Sequence, residues 1–234
     1  MKLLTTANPK AQKSIEFGYL TGILHLAPGR ISGHEMCPYR SVGCTNGCLN
    51  RAGRGRFNST QKARIRKAQL FHDDRAEFMR QLQADIEALS RKAWRMGLKP
   101  AIRLNGTSDL PWEHICPELF ERFSNIQFYD YTKWPRRLRK PLPNYHLTYS
   151  YSEDSTDGEI RDWMADSCMA IVFRKSIPET YKGIKTINGL EHDLTFLHKP
   201  GQIIGLLAKG PAKNDMTGFI RSDEFYHRIK LTSN

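Results

Sequence analysis

No apolar run in this chain approaches the roughly 18 residues that a membrane-crossing helix needs. At the N-terminus the only apolar patch is two leucines, too short for a signal peptide. Both absences point to the cytosol. Reduced thiols there favour metal binding or catalysis over disulfides. Internal repeats and low-complexity tracts are also missing, which excludes solenoids and arrays. Acid is missing locally: residues 51–71 hold seven Lys or Arg and no Asp or Glu. Global disorder is excluded by content, since 39% of the 234 residues are hydrophobic and 10% aromatic, enough for a core.

Three of the five cysteines, Cys37, Cys44 and Cys48, fall within twelve residues, CPYRSVGCTNGC. Gly33, Pro38, Gly43 and Gly47 punctuate the segment, so an irregular loop is expected. Thiolates are soft ligands and glycine lets backbone wrap closely, so this loop suits a metal or an iron–sulfur cluster. With three thiolates at one centre, one position stays open for substrate, S-adenosylmethionine, water or a fourth side chain. Zinc is the competing reading, with His34 completing a Cys₃His set. Metal-free thiols are a third. Cys116 and Cys168 stand alone.

The formal net charge is +12. Besides residues 51–71, a second basic cluster spans residues 133–140. Such fields attract phosphates, so nucleic acid or a phosphorylated ligand is a candidate partner, against a merely solvated basic face. The Gly-Arg tail of the cysteine loop, residues 52–57, is a candidate anion cradle.

Residues 1–16 are expected to be a flexible arm and residues 17–234 a single domain. A strand or bent pair at 17–28 precedes the cysteine loop. A helix follows from a capping box at Asn58 and Gln61, and a second from one at Asp74 and Glu77. In the second, Phe78, Leu82, Ile86, Leu89 and Ala93 form one apolar stripe that Gly97 and Pro100 end. Thereafter strands (100–104, 126–131, 145–151, 169–173, 202–207) alternate with helices (117–123, 158–166). That alternation argues for βαβ units and a parallel sheet. The expected fold is α/β, a single-domain (βα) partial TIM-like barrel with an N-terminal cysteine loop. Functional groups of such folds gather at the carboxyl ends of strands. Asn105, Thr107, Ser108 and Asp109, then Asp130, then Ser150, Ser152 and Glu153 occupy those ends. Asp109, Asp130 and Glu153 are candidate proton handlers. Arg54, Arg56, Arg103 and Lys209 are candidate phosphate clamps.

The blocks CPYRSVGCTNGCLNRAGRGRF, KPAIRLNGTSDLPWE and GLEHDLTFL…IIGLLAKGPAKND resemble the bacteriophage "gene product 88" family. The similarity spans roughly residues 17–215 and implies a phage protein in the cytoplasm of an infected bacterium. A wider similarity is to radical S-adenosylmethionine enzymes, which place three cysteines in the loop after the first strand of a partial barrel. The spacing here is C-x6-C-x3-C where that superfamily has C-x3-C-x2-C. The resemblance implies a [4Fe-4S] cluster on Cys37, Cys44 and Cys48. It puts the loop at Asn105 and Gly106 where the methionine amine binds, with Ser108 and Ser150 joining them as cofactor-binding candidates.

Two functions are therefore expected to compete. One is an iron–sulfur enzyme acting on nucleic acid or a nucleotide. The other is a basic nucleic-acid-binding protein whose metal, zinc or iron–sulfur, braces the loop.

Overall fold

The computed structural model describes residues 1–7 and 12–222. Its centre is a ten-stranded mixed sheet. Strands β2 (Tyr19–Leu24), β3 (Lys99–Arg103), β4 (Gln127–Thr132), β5 (Tyr145–Ser150) and β6 (Met169–Phe173) lie side by side in chain order, all parallel. β9 (Ile203–Leu207) pairs parallel with β6, and β8 (Ile184–Asn188) with β9. Parallel neighbours need crossovers, and the helices supply most of them. The sheet has two edges among the described residues: β1 (Leu4–Thr5) antiparallel to β2, and β7 (Thr180–Tyr181) antiparallel to β8. β10 (Ile220–Arg221) adds to β6.

The first residues correct an expectation. Leu3 and Leu4 are buried, β1 is part of the sheet, and Asp85 accepts the backbone N–H groups of Leu3 and Leu4 at 2.6 and 2.9 Å. The buried Lys67 ammonium donates to the Leu3 carbonyl at 2.6 Å. The chain therefore starts tied to the core. At the other end, residues 223–234 of the expected domain lie outside the described residues.

Four helices shape the region around the site. α1 (Val42–Asn46) lies inside the cysteine segment, so that segment is less irregular than expected, and Ser41 caps it. α2 (Asn58–Asp73) begins after Phe57 without a side-chain cap, because Gln61 reaches back to the preceding loop instead. α3 (Arg75–Arg95) is capped by Asp74, which accepts from the Glu77 N–H; the Glu77 carboxylate turns to Arg80 and Gln81. α6 (Asp157–Met164) starts at a full capping box on Thr156 and Glu159; the short α4 (Trp112–Ile115) and α5 (Pro117–Arg122) precede it in the chain.

The α3 stripe is buried as its spacing implies, in one core with Leu20, Leu24, Ile102, Leu104 and Phe128. Gly22 lets α3 come close: a Cβ there would stand 3.0 Å from Leu89 and 3.2 Å from Leu4. The opposite face of the sheet carries Ala101 and Tyr129, packed under Leu194 and Phe196 of a returning segment. From the same segment Asp193 accepts from Arg103 at 2.5 Å and from the Tyr131 hydroxyl at 3.3 Å. Every strand in the parallel set thus presents its carboxyl end to one rim.

Candidate metal centre at the strand ends

The cysteine segment folds over that rim because its backbone is tied there. The Met36 N–H donates to the Gly29 carbonyl at 2.9 Å, and the Met36 carbonyl accepts from the Asp109 N–H at 2.8 Å. Glu35 accepts from the Cys37 N–H at 2.9 Å and holds the Arg40 guanidinium. Beyond β5, Glu153 reaches up to α1. Its carboxylate accepts from the Ser41 hydroxyl at 2.7 Å and from the Gly43 N–H at 2.5 Å. Gly43 has no room for a side chain: a Cβ would lie 2.2 Å from Thr217 Oγ1 and 2.4 Å from Phe219 Cβ. Gly47 packs on Ala212 in the same way, at 3.0 Å.

All five cysteines are free thiols. Cys37 Sγ accepts from the Gly29 N–H at 3.5 Å and donates to the Thr107 carbonyl at 3.8 Å. Burial pushes the Cys37 thiol up to about 12; the Gly29 N–H opposes this, while Asp109, Cys44 and Cys48 add to it. Burial also raises Cys48, again with Cys44 contributing. The three loop sulfurs therefore lie within electrostatic reach of one another. They do not, however, all fall within 4.8 Å, a spacing met among the described residues by His34, His72 and Asp73. Sulfurs around one tetrahedral zinc ion stand only about 4 Å apart, given Zn–S of about 2.3 Å. His34 stacks on His72 with ring centroids 3.3 Å apart, in company other than the thiols. Cys116 and Cys168 are core residues; the latter donates to the Lys199 carbonyl at 3.1 Å.

The remaining candidates divide into those at the loop and those elsewhere. Asp109 is buried beneath Cys37; its carboxylate accepts from the Lys133 N–H at 2.8 Å and is raised by burial. Ser150 receives the Lys133 ammonium at 2.6 Å. Asn105 organises its own turn: Oδ1 accepts from Ser108 Oγ, Leu110 N and Trp112 Nε1, and Nδ2 donates to the Leu110 carbonyl. Asn105 and Ser108 thus face each other across the turn. Gly106 sits against His25, where a Cβ would be 2.5 Å from Nδ1. Asp130 lies under the turn, accepting from Asn105 N–H and Tyr145 OH at 2.7 and 2.8 Å; burial raises it to about 7. Arg103 is committed to Asp193 and so stands apart from the exposed Arg54, Arg56 and Lys209.

Sequence reasoning missed the interior cations. Arg64 is half-buried, bonded to Asn50 through one amino group, while its Nε has no partner among the described residues. Burial lowers its pKa and Cys48 pulls it back up. His25 is driven down to about 3 by burial and by Arg64, Arg103 and Lys67. A helical period alone separates half-buried Arg64 and buried Lys67 from exposed Lys62 and Arg66, and a basic run hides that period.

The arrangement defines an α/β protein with a three-thiol loop packed over the carboxyl ends of parallel strands. The chain belongs to the bacteriophage Gene product 88 family, whose family model matches residues 1–223. No curated protein and no solved structure matches it.

Proposed function

We infer that Cys37, Cys44 and Cys48 hold a [4Fe-4S] cluster over an open half barrel, and that the protein is an iron–sulfur enzyme acting on a nucleotide or nucleic acid. The half-barrel reading rests on five consecutive parallel strands in chain order. The observation that carries the cluster is the donor set itself. Three free thiols on one short loop lie in mutual electrostatic range, beside the half-buried Arg64 guanidinium, whose Nε has no partner among the described residues. A thiolate-bound cluster is anionic and soft, which suits that site. A cluster with three protein ligands supplies one iron with an open position, for substrate or for S-adenosylmethionine.

The chain's own groups have separate tasks. Glu153 positions α1 through Ser41 and Gly43, so its role is to orient Cys44 rather than to move protons. Asp109 fixes the turn beneath Cys37, and Lys133 spans from that turn to Ser150. Arg64 offsets thiolate charge at Cys48.

Anaerobic reconstitution with iron and sulfide analysis tests this, followed by electron paramagnetic resonance of the dithionite-reduced protein with and without S-adenosylmethionine. Expected are a cluster signal lost in Cys37→Ser, Cys44→Ser and Cys48→Ser and kept in Cys116→Ser and Cys168→Ser. A shift of that signal on adding S-adenosylmethionine supports the radical reading. Colourless, iron-free protein overturns the cluster.

A second reading is a nucleic-acid-binding protein whose metal only braces the loop. It is favoured by the exposed cations next to the thiols, and predicts that binding survives metal loss in Cys44→Ser.

A further inference from the structure

Residues 36–72 contain eight Lys or Arg and no acid. The fold uses three of them: Arg40 is held by Glu35, and Arg64 and Lys67 are turned inward. Arg51, Arg54, Arg56, Lys62 and Arg66 remain exposed. None of these five makes an ion pair or side-chain hydrogen bond among the described residues. Solvated cations are ordinary on a basic protein, but these are carried on a braced scaffold. Gln61 donates to the carbonyls of Asn50 and Gly55 and accepts from Asn50 Nδ2 at 2.8 Å. Gly55 is packed so closely that a Cβ would lie 2.7 Å from the Leu49 carbonyl. The turn carrying Arg54 and Arg56 is thereby locked onto the start of α2.

Two large apolar side chains stand out in the same place, Leu49 at 57% and Phe57 at 53% exposed. Phe57 sits at the helix start directly after Arg56. The turn also borders the thiols: the Arg51 N–H donates to the Cys48 carbonyl at 2.9 Å, and Gly210 packs against Ala52, bringing Lys209 alongside.

We propose that this rim binds single-stranded nucleic acid, with backbone phosphates on Arg51, Arg54, Arg56, Lys62 and Arg66 and a base stacked on Phe57. This names the substrate class of the site described above and rests on that reading. Guanidinium groups match phosphate oxygens bidentately. An exposed ring among cations is the combination that recognises unpaired bases, whose faces are free to stack. A duplex hides those faces. An acidic protein would supply the charge but not a flat group at every repeat of it, as a strand of unpaired bases does. The strand would run past Cys48, delivering a nucleotide to the cysteine centre.

Fluorescence anisotropy with a labelled single-stranded DNA and the matching RNA, titrated at several salt concentrations, tests the proposal. The logarithm of affinity should fall linearly with the logarithm of salt. Arg54→Ala with Arg56→Ala should flatten that slope by about 0.7 per removed contact. Phe57→Ala should weaken binding about tenfold with the slope unchanged. All three positions are exposed, so the variants should fold, which circular dichroism checks. A duplex of the same sequence should compete poorly. Equal competition by the duplex, by heparin or by polyglutamate overturns the proposal, as does an unchanged slope in the double variant. Parallel iron analysis separates the two readings. Binding retained by iron-free Cys44→Ser upholds the rim whatever the fate of the cluster. Iron retained by a wild-type protein that binds no strand sinks the rim alone.

Discussion

His25 shows how an unremarkable histidine acquires a task from its neighbours. It follows β2, packs on Gly106, and is surrounded by Arg64, Arg103 and Lys67. Burial and these charges hold it neutral in the fold, with its pKa lowered from 6.5 to about 3. The unfolded chain therefore takes up the proton first. Stability conferred by the neutral ring is present above about pH 6.5 and is lost progressively as pH falls toward 3. Between about pH 6.5 and pH 5 the loss is about 2 kcal/mol. Asp130 acts in the opposite sense, because its raised pKa favours the fold at lower pH. Urea unfolding of wild type and His25→Gln at about pH 7 and pH 5 isolates the histidine, since Asp130 contributes to both proteins. The variant should lose less stability on acidification than wild type, by about 2 kcal/mol. Identical pH profiles would mean that the native ring accepts a proton freely. At this scale the sequence was legible where chemistry is concentrated in type: three cysteines in twelve residues. It was silent on partners. Asp109, Asp130 and Glu153 were found as acids at strand ends, yet each commits one oxygen to a backbone N–H of a neighbouring loop, and no local pattern announces a partner 110 residues away.

Elements were easier to read than their junctions. The α3 stripe and the alternation of strands with helices survive in the structure because both rest on burial, which leaves a period in the sequence. Two junctions did not. β1 is two residues long and its neighbours on the arm are polar, so only its pairing with β2 and the burial of Leu3 and Leu4 reveal it. The β7–β8 hairpin turns at Lys182 and Gly183, both at positive φ, 51° and 78°. A lysine there carries none of the Asn-Gly or Asp-Gly signal of such turns. The cysteine segment is the junction that matters most, and Gly43 is its tightest point. Its φ is not in the positive range, so alanine is permitted by the backbone and forbidden by the surroundings. Gly43→Ala should push α1 away from Thr217, Phe219 and Glu153, displacing Cys44 from the other two thiols. The expected outcome is a protein with an unaltered far-ultraviolet spectrum and a markedly lower iron content after anaerobic reconstitution. Full iron loading in that variant would show that α1 can shift without disturbing the centre.

The molecule as a whole places its three loop thiols outside the main core that holds it together. The main core joins the α3 stripe to β2, β3, β4, β5, β6 and β9, and none of the three loop cysteines belongs to it. Small zinc domains are different: their metal is their core, and they unfold without it. Here the loop also has ties that need no metal, from Glu153, from the Gly29 and Asp109 backbone, and from Gln61. Removal of the proposed cluster should therefore leave the sheet and its helices folded and loosen the loop alone. Limited proteolysis of apo and reconstituted protein checks this directly. The apo form should be cut first within residues 30–56, at the exposed arginines, leaving a large fragment that still melts cooperatively. The reconstituted form should resist at those same bonds. Simultaneous loss of the sheet on metal removal would make the centre a folding nucleus, and would move the weight of argument from catalysis toward the bracing role. Identical cleavage of the two forms would detach the metal from the loop altogether. Between those outcomes lies the expected one, in which a stable α/β frame carries a separable reactive centre. Under the proposed cluster, that separation would leave an open coordination position free to exchange its ligand without cost to the fold.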